Sequence, residues 1–218
     1  MQDSELFYSM NVVDVYWVID CPPDETSISI LRSSITETID ACEGRMPNWG
    51  IRFHILQCRK KQDGFTTVLP GGELPEFTVE KRLYISGALS ELTEELKKYD
   101  ALSRYYPIVI FGAARFPHDD FIDELYRLKH NKYYDSAVII GFAFGDSSSF
   151  PLMKLLCKYE EAIVSTGNLS LFSRLFTVKE KNQADILVKV DPPDGDDPSS
   201  PMGDLPADGD IPGDDGWD

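Results

Sequence analysis

The sequence predicts an α/β fold: a doubly wound, mostly parallel six-stranded sheet with one antiparallel edge strand and helices on both faces. Three observations lead there. The stretch Val12 to Ile19 is an almost unbroken β-branched and aromatic run, the pattern of a strand covered on both sides. Downstream of it, apolar residues at helical spacing alternate with short apolar runs, which implies strands joined by helical crossovers. One pair of runs is instead separated by Asp63-Gly64, a hairpin signal that makes the second of that pair antiparallel to the first.

Val12 to Ile19 is expected to be the central strand, and it delivers Asp20 into a turn stiffened by Pro22 and Pro23. In open α/β sheets ligand sites lie beyond the carboxyl ends of such strands. Ile28, Leu31, Ile35, Ile39 and Cys42 then recur every three or four residues, one buried helix face, with Gly44 as the expected stop. Ile51, Phe53 and Ile55 alternate with Arg52, His54 and Gln57 in the first hairpin strand, and Phe65 to Val68 forms the second. The basic run Arg59-Lys60-Lys61 solvates the turn between them, and Pro70-Gly71-Gly72 is loop.

Ile85, Leu89, Leu92, Leu96 and Tyr99 predict the next helix, and Pro107 to Phe111 a strand ending at Gly112-Ala113. A helix over Phe121, Leu125 and Leu128, a strand over Ala137 to Phe144 and a helix over Leu152, Leu155 and Tyr159 continue the alternation. Ala162-Ile163-Val164 is the last strand, and Leu171, Phe172, Leu175 and Phe176 mark a closing helix. These boundaries divide the chain into a lead-in over residues 1–11, a folded domain over 12–190 and a tail over 191–218.

Composition narrows the function classes. With 42% hydrophobic residues, 218 residues suffice for one packed core. No apolar run approaches the length of a membrane span, and the start Met1-Gln2-Asp3-Ser4-Glu5 is acidic where a signal peptide is basic, so a cytoplasmic location is expected. Cys21, Cys42, Cys58 and Cys157 have no metal-site spacing and read as buried reduced thiols.

The net charge is −16, and ten of those charges come from aspartates between Asp191 and Asp218, where no Lys or Arg occurs. The body is left only mildly acidic. Neither part carries the basic footprint of a nucleic-acid binder, and the tail would repel an anionic membrane.

The tail is mostly Asp, Pro and Gly, a composition that cannot bury enough apolar area to offset ordering entropy, so disorder is expected. Its Asp-Gly groupings lack the closing Glu and flanking helices of an EF-hand. Trp217, set among Asp214, Asp215 and Asp218, has the make-up of a short recognition segment: an aromatic anchor with charges that steer it to a basic groove.

With strand order, hairpin and the ending Ile163-Val164-Ser165 through Phe172, Leu175 and Phe176 in place, residues 12–177 resemble a von Willebrand factor type A (vWA) domain, a Rossmann-like fold. Within that superfamily they look most like the short bacterial proteins related to the tellurium-resistance protein TerY. In the family, Asp-x-Ser-x-Ser after the first strand, a later Thr and a late Asp hold Mg²⁺ or Mn²⁺ in a metal-ion-dependent adhesion site. Here Asp20 matches the first Asp, but Pro22 stands at the first serine position and Asp24 at the second. The threonine position falls near Leu83 and the late aspartate at Ala113. Three of the five positions have lost the hard oxygen donors such an ion needs.

Two readings of the site follow. In one, Asp20, Asp24 and Asp119 or Asp120 still hold Mg²⁺ or Mn²⁺ weakly. In the other, which is the expectation, the site is degenerate and binds no cofactor or metal, and Asp20 caps the turn that follows it. Catalysis is not expected either. His54, His118 and His130 are scattered, and only His118 beside Asp119 near the sheet's carboxyl edge forms a pairing. Asp20 and Asp24 could serve a metal-dependent or phosphoryl-transfer enzyme, but no phosphate loop follows the first strand and Pro22 stands where a second acid would be needed.

The function expected is a non-catalytic protein–protein interaction module of the stress-response (tellurite-resistance-like) or phage-conflict kind implied by the resemblance. Its tail residues Asp214, Asp215, Trp217 and Asp218 would bind the partner, and neither nucleic acid nor membrane is expected. A structural subunit of a larger assembly is the remaining alternative.

Overall fold

A computed structural model of the chain describes residues 12–22, 24–45, 50–69, 71–99, 103–143, 149–165 and 179–181. The lead-in, the expected closing helix and the acidic tail with Asp214, Asp215, Trp217 and Asp218 lie outside the described residues.

Strand β1 (Val12–Asp20) sits inside the sheet, buried along almost its whole length. Helix α1 (Glu25–Arg45) carries the chain to β2 (Gly50–Cys58), which pairs with β1 in parallel from Val12↔Gly50 to Asp20↔Cys58. The helix runs one residue past Gly44, the expected stop. The short β3 (Thr66–Val68) returns antiparallel to β2, with Gly64 at φ +80° in the connection, a backbone state that favours glycine.

Helix α2 (Ser86–Lys97) leads to β4 (Ile108–Ala113), which pairs with the other side of β1. Two helices follow, α3 (Ile122–Lys129) and the short α4 (Lys132–Ser136), the second of which the apolar spacing did not indicate. Strand β5 (Val138–Ala143), helix α5 (Phe150–Leu156), a single 3₁₀ turn over Glu160–Ala162 and β6 (Ile163–Ser165) complete the described elements. The six strands lie in the order β3-β2-β1-β4-β5-β6, all parallel except the edge strand β3. This is the sheet expected from the sequence.

Alternation along β1 divides the core in two. Val13, Val15, Trp17 and Ile19 pack with Ile28, Leu31, Ile35 and Ile39 of α1. Tyr16 and Val18 pack on the opposite face with α2, α3, α4 and α5. That second face also carries Asp14 near the start of the strand and Asp20 at its end, about 20 Å apart at strand rise. Both are buried, Asp14 at 3% exposure and Asp20 at 0%. A charge placed so deeply must be partnered.

Gly141 in β5 fits α5 closely: a Cβ there would lie 2.7 Å from Cys157 Sγ and 3.2 Å from Met153 Sδ. Cys21, Cys58 and Cys157 are buried free thiols. Burial pushes Cys21 up to about 11 and Cys157 up to about 12.

Candidate functional site

At the carboxyl end of β1, Asp20 caps no backbone N–H of the turn that follows it among the described residues, contrary to the expectation from the sequence. Its carboxylate turns instead to the loop after β4. Ala114 N donates to Oδ2 at 3.2 Å, and the Arg115 guanidinium grips both oxygens, Nε to Oδ2 at 3.1 Å and Nη2 to Oδ1 at 2.9 Å. Arg115 Nη2 also donates to the Cys21 carbonyl and, at 2.9 Å, to the Glu80 carbonyl. Glu80 N in turn donates to Pro22 O at 3.1 Å. One side chain therefore ties together the end of β1, the loop before α2 and the loop after β4. Burial pushes the Asp20 carboxyl above its ordinary range, against the opposing pull of Arg115 and Ala114.

The other candidate ligands have separate employment. Asp119 accepts from Ile85 N at 3.0 Å and Ser86 N at 2.8 Å, so both its oxygens cap the first turn of α2 from outside that helix. Asp120 accepts from Ile122 N at 3.3 Å, at the start of α3. Asp24 is exposed at the start of α1, where its carbonyl accepts from Ile28 N. Leu83 and Ala113 are buried in the core.

A divalent ion of the adhesion-site kind does not fit this donor set. The one matching carboxylate is engaged by a guanidinium, the hydroxyl positions hold Pro22, Leu83 and the exposed Asp24 at the start of α1, and the late acid position holds Ala113. Among the described residues, no three His, Cys, Asp or Glu side chains converge as metal ligands.

His118 and Asp119 take different partners. Arg82 Nη1 donates to His118 Nε2 at 2.6 Å, so that ring nitrogen is the acceptor of a guanidinium. His130 Nδ1 lies 2.8 Å from Tyr126 O at the end of α3. A groove of about 520 Å³ between α2 and α3, lined by Thr93, Lys97, Tyr126, Arg127 and His130 among others, shares no residue with the Asp20 cluster.

Two charged constellations escaped the reading of the sequence. Asp14 receives Arg52 Nε at 2.8 Å and Nη2 at 3.1 Å, and lies 2.9 Å from His54 Nε2. His54 Nδ1 contacts the Thr67 hydroxyl at 3.1 Å, and its ring stacks on Tyr16 with centroids 4.7 Å apart. Burial alone would raise the Asp14 carboxyl, but the bonds from His54 and Arg52 outweigh it and hold the group below its usual range. The signal was Asp14 itself, the single charge within the apolar run Val12 to Ile19. The second constellation is Lys181, whose Nζ lies 4.8, 5.8 and 5.5 Å from the ring centres of Tyr99, Tyr106 and Tyr133.

No protein-family model matches the sequence, and no curated protein matches it either. Solved structures do resemble it in fold. Proximal thread matrix protein 1 from the mussel byssus superposes with a TM-score of 0.53 at 13% identity, over 75% of this chain and 46% of that one. The chain thus spans less than half the length of that protein. The ArnB paralog VWA2 from Sulfolobus acidocaldarius gives 0.47 at 15% identity, over 76% of this chain and 44% of that one. The SpRpn10 VWA domain gives 0.48 at 12% identity, over 75% of this chain and 93% of the domain. At such identities the likeness concerns fold alone, and it is the strand order and register that define the architecture here.

Proposed function

We propose that this chain is a vWA-like, non-catalytic protein–protein interaction module whose adhesion site works without a metal ion. The observation that carries the reading is the grip of Arg115 on Asp20. A carboxylate with both oxygens engaged by a guanidinium and a backbone N–H is no free metal ligand, and it is poorly placed as a nucleophile or base. What the site retains is its position, at the carboxyl edge of the sheet where such folds meet their ligands.

The acidic tail supplies the second contact in this proposal, with Trp217 as anchor and Asp214, Asp215 and Asp218 as steering charges. Work in the cytoplasm, within a stress-response system related to tellurite resistance or a phage-conflict system, is the setting we propose from the resemblance to TerY-like proteins.

Capture of partners from native lysate tests the reading, using the full chain, a chain lacking residues 191–218, and Trp217→Ala. A partner retained by the full chain should weaken on Trp217→Ala by about 2 kcal/mol, the scale of an interface hot spot. Unchanged recovery of every partner by all three chains would remove the tail from the proposal. Turnover that requires Asp20 or Asp24 would overturn the non-catalytic reading.

A further inference from the structure

Three oxygens converge on a single nitrogen at the end of β1: Asp20 Oδ1, the Cys21 carbonyl and the Glu80 carbonyl all lie within hydrogen-bond reach of Arg115 Nη2 and share its two hydrogens. One carboxylate and two carbonyls aimed at one point make a hard-oxygen cradle, the kind of donor set that takes a cation. We propose that this cradle is a cation site filled from within, and that the Arg115 guanidinium is its resident cation. The inference rests on the interaction-module reading and deepens it by naming what holds the proposed face together.

The geometry supports a filled site over an ordinary surface ion pair. Asp20 is fully buried and the Arg115 side chain is only 20% exposed, so the pair lies largely outside the reach of solvent screening. The guanidinium also spans three segments distant in sequence, the ends of β1 and β4 and the loop carrying Glu80. A bound ion at the mouth of a sheet would make the same kind of cross-link. A planar fork suits this task better than an ammonium, because Nε and Nη2 address the two carboxylate oxygens together while Nη2 still reaches the carbonyls. Nη1 has no acceptor among the described residues, so it adds nothing to the cradle.

Thermal melts of the full-length chain test the proposal. The wild type should melt at the same temperature in EDTA and in 10 mM MgCl₂ or MnCl₂, since no vacancy exists for the ion. Arg115→Ala leaves a buried charge without its partner and should lower the melting temperature by roughly 10 °C. Methylguanidinium at low millimolar concentration, or Mn²⁺, should restore part of that loss saturably in Arg115→Ala, because a ligand of the folded state raises its stability.

The same additions should do nothing for Asp20→Asn/Arg115→Ala. That double variant should also melt above the single variant, because it holds no unpaired charge; it keeps the comparison informative if Arg115→Ala folds poorly. Arg115→Lys should fall between wild type and Arg115→Ala.

A saturable rise of the wild type with Mn²⁺ that Asp20→Asn removes would overturn the proposal. So would an Arg115→Ala chain that melts with the wild type, or one that responds to neither probe. Partner capture is measured separately, so a failed cation site would remove the metal-free clause of the proposed function and leave its interaction-module reading to stand or fall on its own test.

Discussion

Asp14 and Asp20 show how one residue type at two ends of one strand face can answer burial in opposite directions. Asp14 sits below the ordinary carboxylate range, with Arg52 and His54 outweighing burial, and Asp20 sits above it, with burial outweighing Arg115. Linkage gives the two groups opposite signs. A depressed carboxyl contributes stability that is present above its unfolded pKa and is lost as pH falls through its lower folded pKa; a raised one contributes stability present below the unfolded pKa and lost as pH rises through the folded value. Asp14→Asn should therefore cost about 1–3 kcal/mol near neutral pH, the scale of a charge-assisted network. The cost should shrink as pH falls below the ordinary Asp value of 3.8. Urea unfolding of both chains between pH 3 and pH 7 measures the gap; a gap independent of pH would show that Asp14 is not held ionised by its partners.

At the scale of elements, packing between β5 and α5 depends on the missing side chain of Gly141. In Gly141→Ala the new methyl would meet Cys157 Sγ at 2.7 Å, with Met153 Sδ at 3.2 Å, and both neighbours are buried in the core. A loss of about 1–3 kcal/mol is expected from overpacking. Cys157→Ala in the same chain should recover part of it, and denaturant titration that finds Gly141→Ala neutral would mean that α5 yields more readily than the packing implies.

Most elements were legible because each is written in local periodicity. The apolar run of β1, the Asp63-Gly64 hairpin and the i, i+3, i+4 spacing of α1 and α2 each specify their own shape and, through alternation, the sheet. The short α4 was not, since five residues give periodicity too little room; it is set by the Asn131 side chain accepting from Tyr133 N and Tyr134 N. The site was half legible. Asp20 and the lost hydroxyls could be read directly, whereas Arg115 could not, because the family pattern has an oxygen donor at Ala113 and the partner of Asp20 is a cation two residues further on. Its partnership joins residues 95 positions apart, and only the β1–β4 register brings them together. The Arg52–Asp14 pair rests likewise on register, here between β1 and β2.

Across the whole molecule, one face of β1 carries two buried charges, each satisfied by arginine from a neighbouring strand or the loop that follows one. Arg52 serves the amino end and Arg115 the carboxyl end, and the aromatic and aliphatic core lies between them. Side chains tie the carboxyl edge together: Arg115 across three segments and Asp119 on the first turn of α2. A face built in this way should keep its shape whatever the divalent ion concentration.

Paramagnetic relaxation tests that claim directly. Amide spectra of the ¹⁵N-labelled full-length chain would be recorded with Mn²⁺ in the submillimolar range and again after chelation. If Arg115 is the resident cation, the amides of Asp20, Cys21, Ala114 and Arg115 keep their intensities relative to the rest of the folded body. Selective, saturable bleaching of those amides by Mn²⁺, lost in Asp20→Asn, would place a metal ion where the account places a guanidinium.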